Sequence, residues 1–189
     1  MNCLLKWDDF EKAKWKRAAK ELAAPNKYWD SIDLYQVDDV DFTMFKRMPV
    51  KNKDFLDDLE EESFGKNTLV LQYEDTPLGY AIFQAKDCGL FIDLITTTTK
   101  RDFDVVSNSF GSIIMAVLGV LSTIKYKKVC RLLLLDSVKD AVPAYRGMGF
   151  SDDSEKKDDY KRLGYDSPQL IPMKRRAQVR TRKRSPRKL

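Results

Sequence analysis

The chain has 189 residues, 43% hydrophobic and 33% charged, with 34 Lys and Arg against 29 Asp and Glu and no histidine. That apolar content excludes global disorder and fits one domain with an appendage. Without histidine, His-based triads and the usual zinc sites are excluded, and no metal is expected.

Cys3, Cys88 and Cys130 are far apart and odd in number. They argue against a disulfide scaffold and for a reducing, intracellular compartment, cytoplasmic or nuclear. Charge is unevenly placed. Residues 174–189 hold nine Lys or Arg and no acid, and without them the formal charge falls from +5 to −4. The N-terminus carries Lys6, Asp8 and Asp9 and lacks the apolar run of a secretory signal.

Taken in order, Trp7 to Ala24 reads as an amphipathic helix stopped by Pro25, and residues 1–30 form a helical extension. Ser31 to Gln36 alternates like a short strand. A helix follows from Asp38 to about Met48, and a second from Lys51 to Phe64. Asn67 to Tyr73 and Leu78 to Lys86 are β-rich runs joined by a turn at Glu74 to Pro77. Gly79 marks a bulge or a close backbone approach.

Gly89 to Thr97 (GLFIDLITT) reads as a central strand apolar enough to be buried on both faces. Val105 to Ile124 carries no charge over twenty residues, roughly a membrane-spanning length. Its first residues read as loop and cap, so a core helix from Ser109 to about Lys125 is the expectation. Val129 to Leu135 is an apolar strand and Asp140 to Gly147 a short helix, with a further strand beginning at Phe150. Gln169 to Lys174 is a last strand, expected at an edge because it contains Pro172.

This β-α-α-β-β-β-α-β-α-β-β order resembles the GNAT N-acyltransferases, over about three-quarters of the chain. Two segments carry the resemblance further. Ala141-Val-Pro-Ala-Tyr145-Arg-Gly-Met-Gly-Phe150 is similar to the family's A-x-x-[LF]-Y-x-x-x-G-F signature, and Ile171-Pro-Met173-Lys174 to its closing strand. One segment departs from it. Where the family carries [RQ]-x-x-G-x-[GA], this chain has Val106-Ser107-Asn108-Ser109-Phe110-Gly111, and only the last position matches. The resemblance implies an α/β (α+β) domain over residues 31–173, with a mixed sheet of six to seven strands flanked by helices.

It also implies acetyl-CoA as co-substrate and transfer of its acyl group to an amine. The pyrophosphate would lie on backbone N–H groups from Val106 to Ser112 at the start of the long helix. The thioester oxygen would meet a backbone N–H at Leu94, Ile95 or Thr96. Tyr145 stands where the family places the acid that protonates the leaving thiolate, and the base is Asp93, the local carboxylate, a glutamate from the early helices or a water chain. Each has a bland alternative: Tyr145 as a packed aromatic, Asp93 as a structural carboxylate, Gly111 as helix packing. Residues 30–62 hold eleven acids against four bases. Such a rim would attract a polyamine, a lysine side chain or an N-terminal amine.

The tail from residue 174 to 189 is too charged to fold alone. Lys174, Arg175, Arg176, Arg180, Arg182, Lys183, Arg184, Arg187 and Lys188 form a candidate surface for nucleic acid or another polyanion, with nuclear targeting and a plain solvated terminus as the competing readings. A second reading therefore stays open beside the enzyme. In it the fold is an inactive scaffold that binds nucleic acid or serves an assembly, such as a virion, through this tail.

Overall fold

The computed structural model describes residues 32–36, 42–48, 59–73, 76–86, 89–98, 108–126, 132–153 and 171–176. The expected N-terminal helix, the tail beyond Arg176 and residues 106–107 lie outside them. Seven strands form one sheet in the order β1-β2-β3-β4-β5-β7-β6. They are β1 Ile32–Gln36, β2 Asn67–Tyr73, β3 Thr76–Lys86, β4 Gly89–Thr97, β5 Leu132–Ser137, β6 Ser151–Asp152 and β7 Ile171–Arg176. A 3-10 helix at Phe42–Arg47 and helix α1 at Leu59–Ser63 precede β2. Helix α2, Asn108–Tyr126, joins β4 to β5. Another 3-10 turn, Lys139–Ala141, and α3, Val142–Gly147, follow β5.

The first four strands form an antiparallel meander, and β4 then pairs in parallel with β5. A parallel pair needs a crossover, and α2 supplies it. Each face of the sheet has its own core. On one face Leu69, Leu71, Ala81, Phe83, Leu90, Ile92, Leu133 and Leu135 pack with α2 residues such as Phe110 and Leu118. On the other, Val70, Tyr80 and Ile82 pack against Phe42, Phe45 and Leu59 of the two early helices and against Met48 just past the first. The period-two alternation along β2 and β3 thus sorts one sequence into two layers. α2 is buried along most of its length. No helix among the described residues is long and apolar enough to cross a membrane.

Gly79 meets both expectations for it. It pairs with Leu71, beside the register shift at Leu71/Gln72, and a Cβ there would lie 2.8 Å from the Thr96 carbonyl oxygen. β3 begins at Thr76, two residues earlier than the turn signals predict, with Pro77 inside the strand opposite Gln72.

Three expectations need correction. β4 is buried on both faces only from Gly89 to Ile92, and its remaining five residues are half-exposed. The reason is that β5 accompanies only those first four residues. The Pro172 strand is not an edge: β7 lies between β5 and β6. The Pro172 carbonyl accepts from the Asp153 N–H, just past the end of two-residue β6. In an extended strand the nitrogen and carbonyl of one residue point the same way, so the missing proline donor falls on the β6 side and the ladder to β5 is spared. Finally, β7 continues through Arg176, two residues past the expected end of the last strand.

Candidate active site: the parting of β4 and β5

The parallel pairs run Gly89–Leu132, Leu90–Leu133, Phe91–Leu134 and Ile92–Leu135, and then stop. Beyond them β5 keeps β7 as its neighbour through Ser137, and β4 keeps β3 through Thr97. A slot therefore opens in mid-sheet. Along it, from Leu94 to Thr97, β4 has no β5 residue to accept its N–H groups, which suits an edge for a developing oxyanion. The slot joins the two faces: Leu94 packs with the early-helix core and Ile95 with the α2 core.

Asp93 sits at the point of parting. Ile82 pairs with Leu94 and Phe83 with Ile92, so Asp93 is the additional residue of a β-bulge, a device that re-aims a side chain. Its carboxylate accepts two hydrogen bonds from Gln84 Nε2, at 3.1 and 2.9 Å, and Gln84 Oε1 accepts one from Lys86 Nζ at 3.0 Å. Phe83 faces α2, so Gln84 and the carboxylate it holds lie on the early-helix side.

α2 brings its N-terminus to the same end of the sheet. β4 and β5 are parallel, so the crossover helix returns antiparallel to both and starts where they part. Asn108, Ser109, Phe110, Gly111 and Ser112 are all helical and form its first turn and a little more, one residue earlier than the start expected at Ser109. The Phe110 side chain is committed to the core. Any role of that residue toward a cofactor passes to its backbone. Gly111 is buried, and a Cβ on it would lie 3.3 Å from Met148 Cε, so packing against the end of α3 is part of its role.

Tyr145 stands on the α2 side of the sheet, opposite to Asp93, half-buried against that core. Its ring meets Phe150 edge-on at 5.8 Å and 66°. Burial pushes its phenol up to about 12, so at neutral pH it is a protonated donor. The surrounding backbone explains the whole signature. Gly149 has φ +87; its N–H donates to the Arg146 carbonyl at 2.9 Å, and the Phe150 N–H to the Tyr145 carbonyl at 3.0 Å. These are the two bonds of a Schellman cap, with Tyr145 and Phe150 as its apolar pair. Tyrosine, glycine and phenylalanine at this spacing end a helix, whatever chemistry the hydroxyl performs.

Two of the cations expected to face a polyanion have partners in the domain. Lys174 is ion-paired to buried Asp153. Arg175 donates to the Met148 carbonyl at 2.7 Å, and its guanidinium lies 5.8 Å from the Phe150 ring centroid. A cation at a helix C-terminus completes the cap. Burial lowers the pKa of this guanidinium. Arg176 is exposed at the strand end, and the other six cations lie outside the described residues.

Gln84 and Lys86 escape the sequence reading. The signal for them is slight: a lone amide in the apolar run AIFQAK, and a lysine two residues on, hence on the same face. Among the described residues there is no group of three His, Cys, Asp or Glu able to hold a metal.

No family model matches the sequence, and no curated protein does. Solved structures do resemble the fold. A bacterial toxin superposes with a TM-score of 0.52 at 13% identity, covering 75% of this chain and 87% of its own. Tetrahymena GCN5 (TM-score 0.47, 15% identity) covers 73% and 84%, respectively. The PaiA N-acetyltransferase of Thermoplasma acidophilum, in complex with coenzyme A (0.47, 9%), covers 77% and 99%. The likeness is one of fold. The antiparallel meander, the parallel pair that parts and the crossover helix between its strands make this the GNAT fold.

Proposed function

We propose that the chain is an acetyl-CoA-dependent N-acetyltransferase acting on a basic amine: a polyamine, a lysine side chain or an N-terminus. The parting of β4 and β5 carries the reading, because it exposes strand backbone in mid-sheet with a carboxylate on one side and a phenol on the other. The pantetheine arm of the donor enters this slot and its pyrophosphate rests on the first turn of α2. Backbone N–H groups do that work, so the departure of residues 106–110 from the family pattern is tolerable.

The amine nitrogen attacks the thioester carbon from the Asp93 side, having lost its proton to Asp93 directly or through water. Negative charge on the carbonyl oxygen is met by a β4 N–H between Leu94 and Thr96. The C–S bond then breaks, and Tyr145 donates to the departing sulfur. A phenol near 12 releases its proton reluctantly to a thiolate whose acid lies near 8.5. Its contribution is therefore a hydrogen bond that strengthens as charge builds on sulfur.

Thermal unfolding with and without acetyl-CoA tests the reading. A ligand at about a hundred times its Kd stabilises by roughly 2.7 kcal/mol, a rise of several degrees in Tm for a domain of this size. No shift at millimolar acetyl-CoA or CoA would end the proposal. The six cations beyond β7 are proposed as a polyanion contact that is separate from this site. Deleting residues 177–189 should then flatten the salt dependence of DNA binding.

A further inference from the structure

Gln84 is only 6% exposed in the middle of β3, where an apolar side chain would be the ordinary occupant. Both ends of its amide are engaged. The nitrogen end donates to both oxygens of Asp93 and the oxygen end accepts from Lys86. The orientation of the amide follows from its partners. An ammonium can only donate and a carboxylate can only accept, so the oxygen must face Lys86 and the nitrogen Asp93.

We infer that Gln84 and Lys86 are positioning residues for Asp93: the ammonium fixes the amide, and the amide fixes the place of the carboxylate at the bulge. The inference rests on the reading of Asp93 as the group that receives the proton of the acceptor amine. Three observations carry it. The bulge frees Asp93 from the regular pleat, so backbone pairing alone does not aim its side chain. One amide nitrogen lies within 3.1 and 2.9 Å of the two carboxylate oxygens, a bifurcated contact that tethers the carboxylate to β3. And a charge stands behind the amide: Lys86 Nζ donates to the oxygen of the same Gln84 whose nitrogen meets Asp93. The relay places a positive charge on β3, one side chain away from the carboxylate. Among the described residues whose side chains are placed, the other charged group on the elements covering this face is Glu61, exposed on α1.

The test has a spectroscopic and a kinetic arm. In 15N-labelled protein the Gln84 side-chain NH2 resonances should move with pH as Asp93 titrates, and Asp93→Asn should abolish that movement. Resonances that ignore pH, or that titrate equally in Asp93→Asn, overturn the inference. In the kinetic arm, thiol release from acetyl-CoA with spermidine as acceptor is followed for Asp93→Asn, Gln84→Met, which keeps the volume, and Lys86→Met, at a partly exposed site. We expect a fall of about a hundredfold in kcat for the first, tenfold for the second and three- to fivefold for the third, with the KM for acetyl-CoA unchanged. An active Asp93→Asn defeats the reading of Asp93 itself. An inactive Asp93→Asn beside fully active Gln84 and Lys86 variants defeats only the positioning. Should wild type not use spermidine, the acceptor choice is wrong and the spectroscopic arm still decides. If Gln84→Met does not fold, Lys86→Met carries the kinetic test.

Discussion

The first turn of α2 and the end of α3 teach opposite lessons about motifs. At α3 the family signature is intact, and the structure accounts for it without chemistry: Gly149 takes the left-handed turn, and Tyr145 and Phe150 close a Schellman cap that Arg175 seals. At α2 the pattern is largely lost, yet the helix still begins at Asn108, at the end where the strands part. A cap depends on side-chain shape and on one glycine φ. A phosphate cradle depends on backbone N–H groups, which nearly any sequence supplies once the helix starts in the right place. The conserved-looking segment is thus the weaker witness to catalysis, and the degraded one a weak witness against it.

The sharpest way to break this comparison is Phe150→Ala. It removes a buried ring that belongs to the cap and to the core, and should cost about 3–5 kcal/mol in urea unfolding. A cost below 1 kcal/mol would mean that the signature is not held for stability. Tyr145→Phe divides the two roles of one residue. The cap keeps its ring, so stability at neutral pH should hold within ~0.5 kcal/mol, while turnover falls by about a hundredfold with acetyl-CoA affinity unchanged. Unchanged turnover would confine Tyr145 to the cap.

The same variant has an alkaline signature. The folded phenol titrates near 12 and the unfolded one near 10, so between these values the folded state holds a proton that the unfolded state has lost. Stability present below pH 10 is therefore lost as pH rises toward 12, by up to about 3 kcal/mol from this group. Tyr145→Phe should show a shallower decline over that window, and an identical decline would remove the effect of burial. Tyr80 offers a contrast among hydroxyls. Fully buried beside Phe45 on the other face, it has a hydroxyl with no hydrogen-bond partner among the described residues, and burial raises its pKa as well. Tyr80→Phe removes an unsatisfied polar atom and should stabilise by about 1 kcal/mol, read as a higher urea midpoint. A lower midpoint would show that the hydroxyl is satisfied in solution.

The smallest expected effect is that of Gly111→Ala. The atom a Cβ would meet is the mobile end of Met148, and alanine favours a helix by about 1 kcal/mol over glycine, so stability should change by less than ~1 kcal/mol. Loss of acetyl-CoA affinity at unchanged stability would assign this glycine to the cofactor. Unchanged affinity would leave it to packing.

Element identity was legible wherever local pattern and burial agree. The β2–β3 hairpin, the uncharged run of α2 and the Gly149 stop can each be read from a few consecutive residues, because alternation, helical period and left-handed φ are local physics. Asp93 could be nominated as the lone carboxylate in an apolar strand. Its surroundings could not. That β4 loses β5 after Ile92, that a bulge falls at Asp93, and that Gln84 and Lys86 converge on it depend on register between strands. So does the place of Pro172 inside the sheet, where the side on which its nitrogen points matters more than the residue itself. Register is a relation between distant segments, and no single segment contains it. The chain's own order of residues therefore determined the layers, the caps and the candidates. Only tertiary pairing decided which candidates meet, on which face, and around what opening.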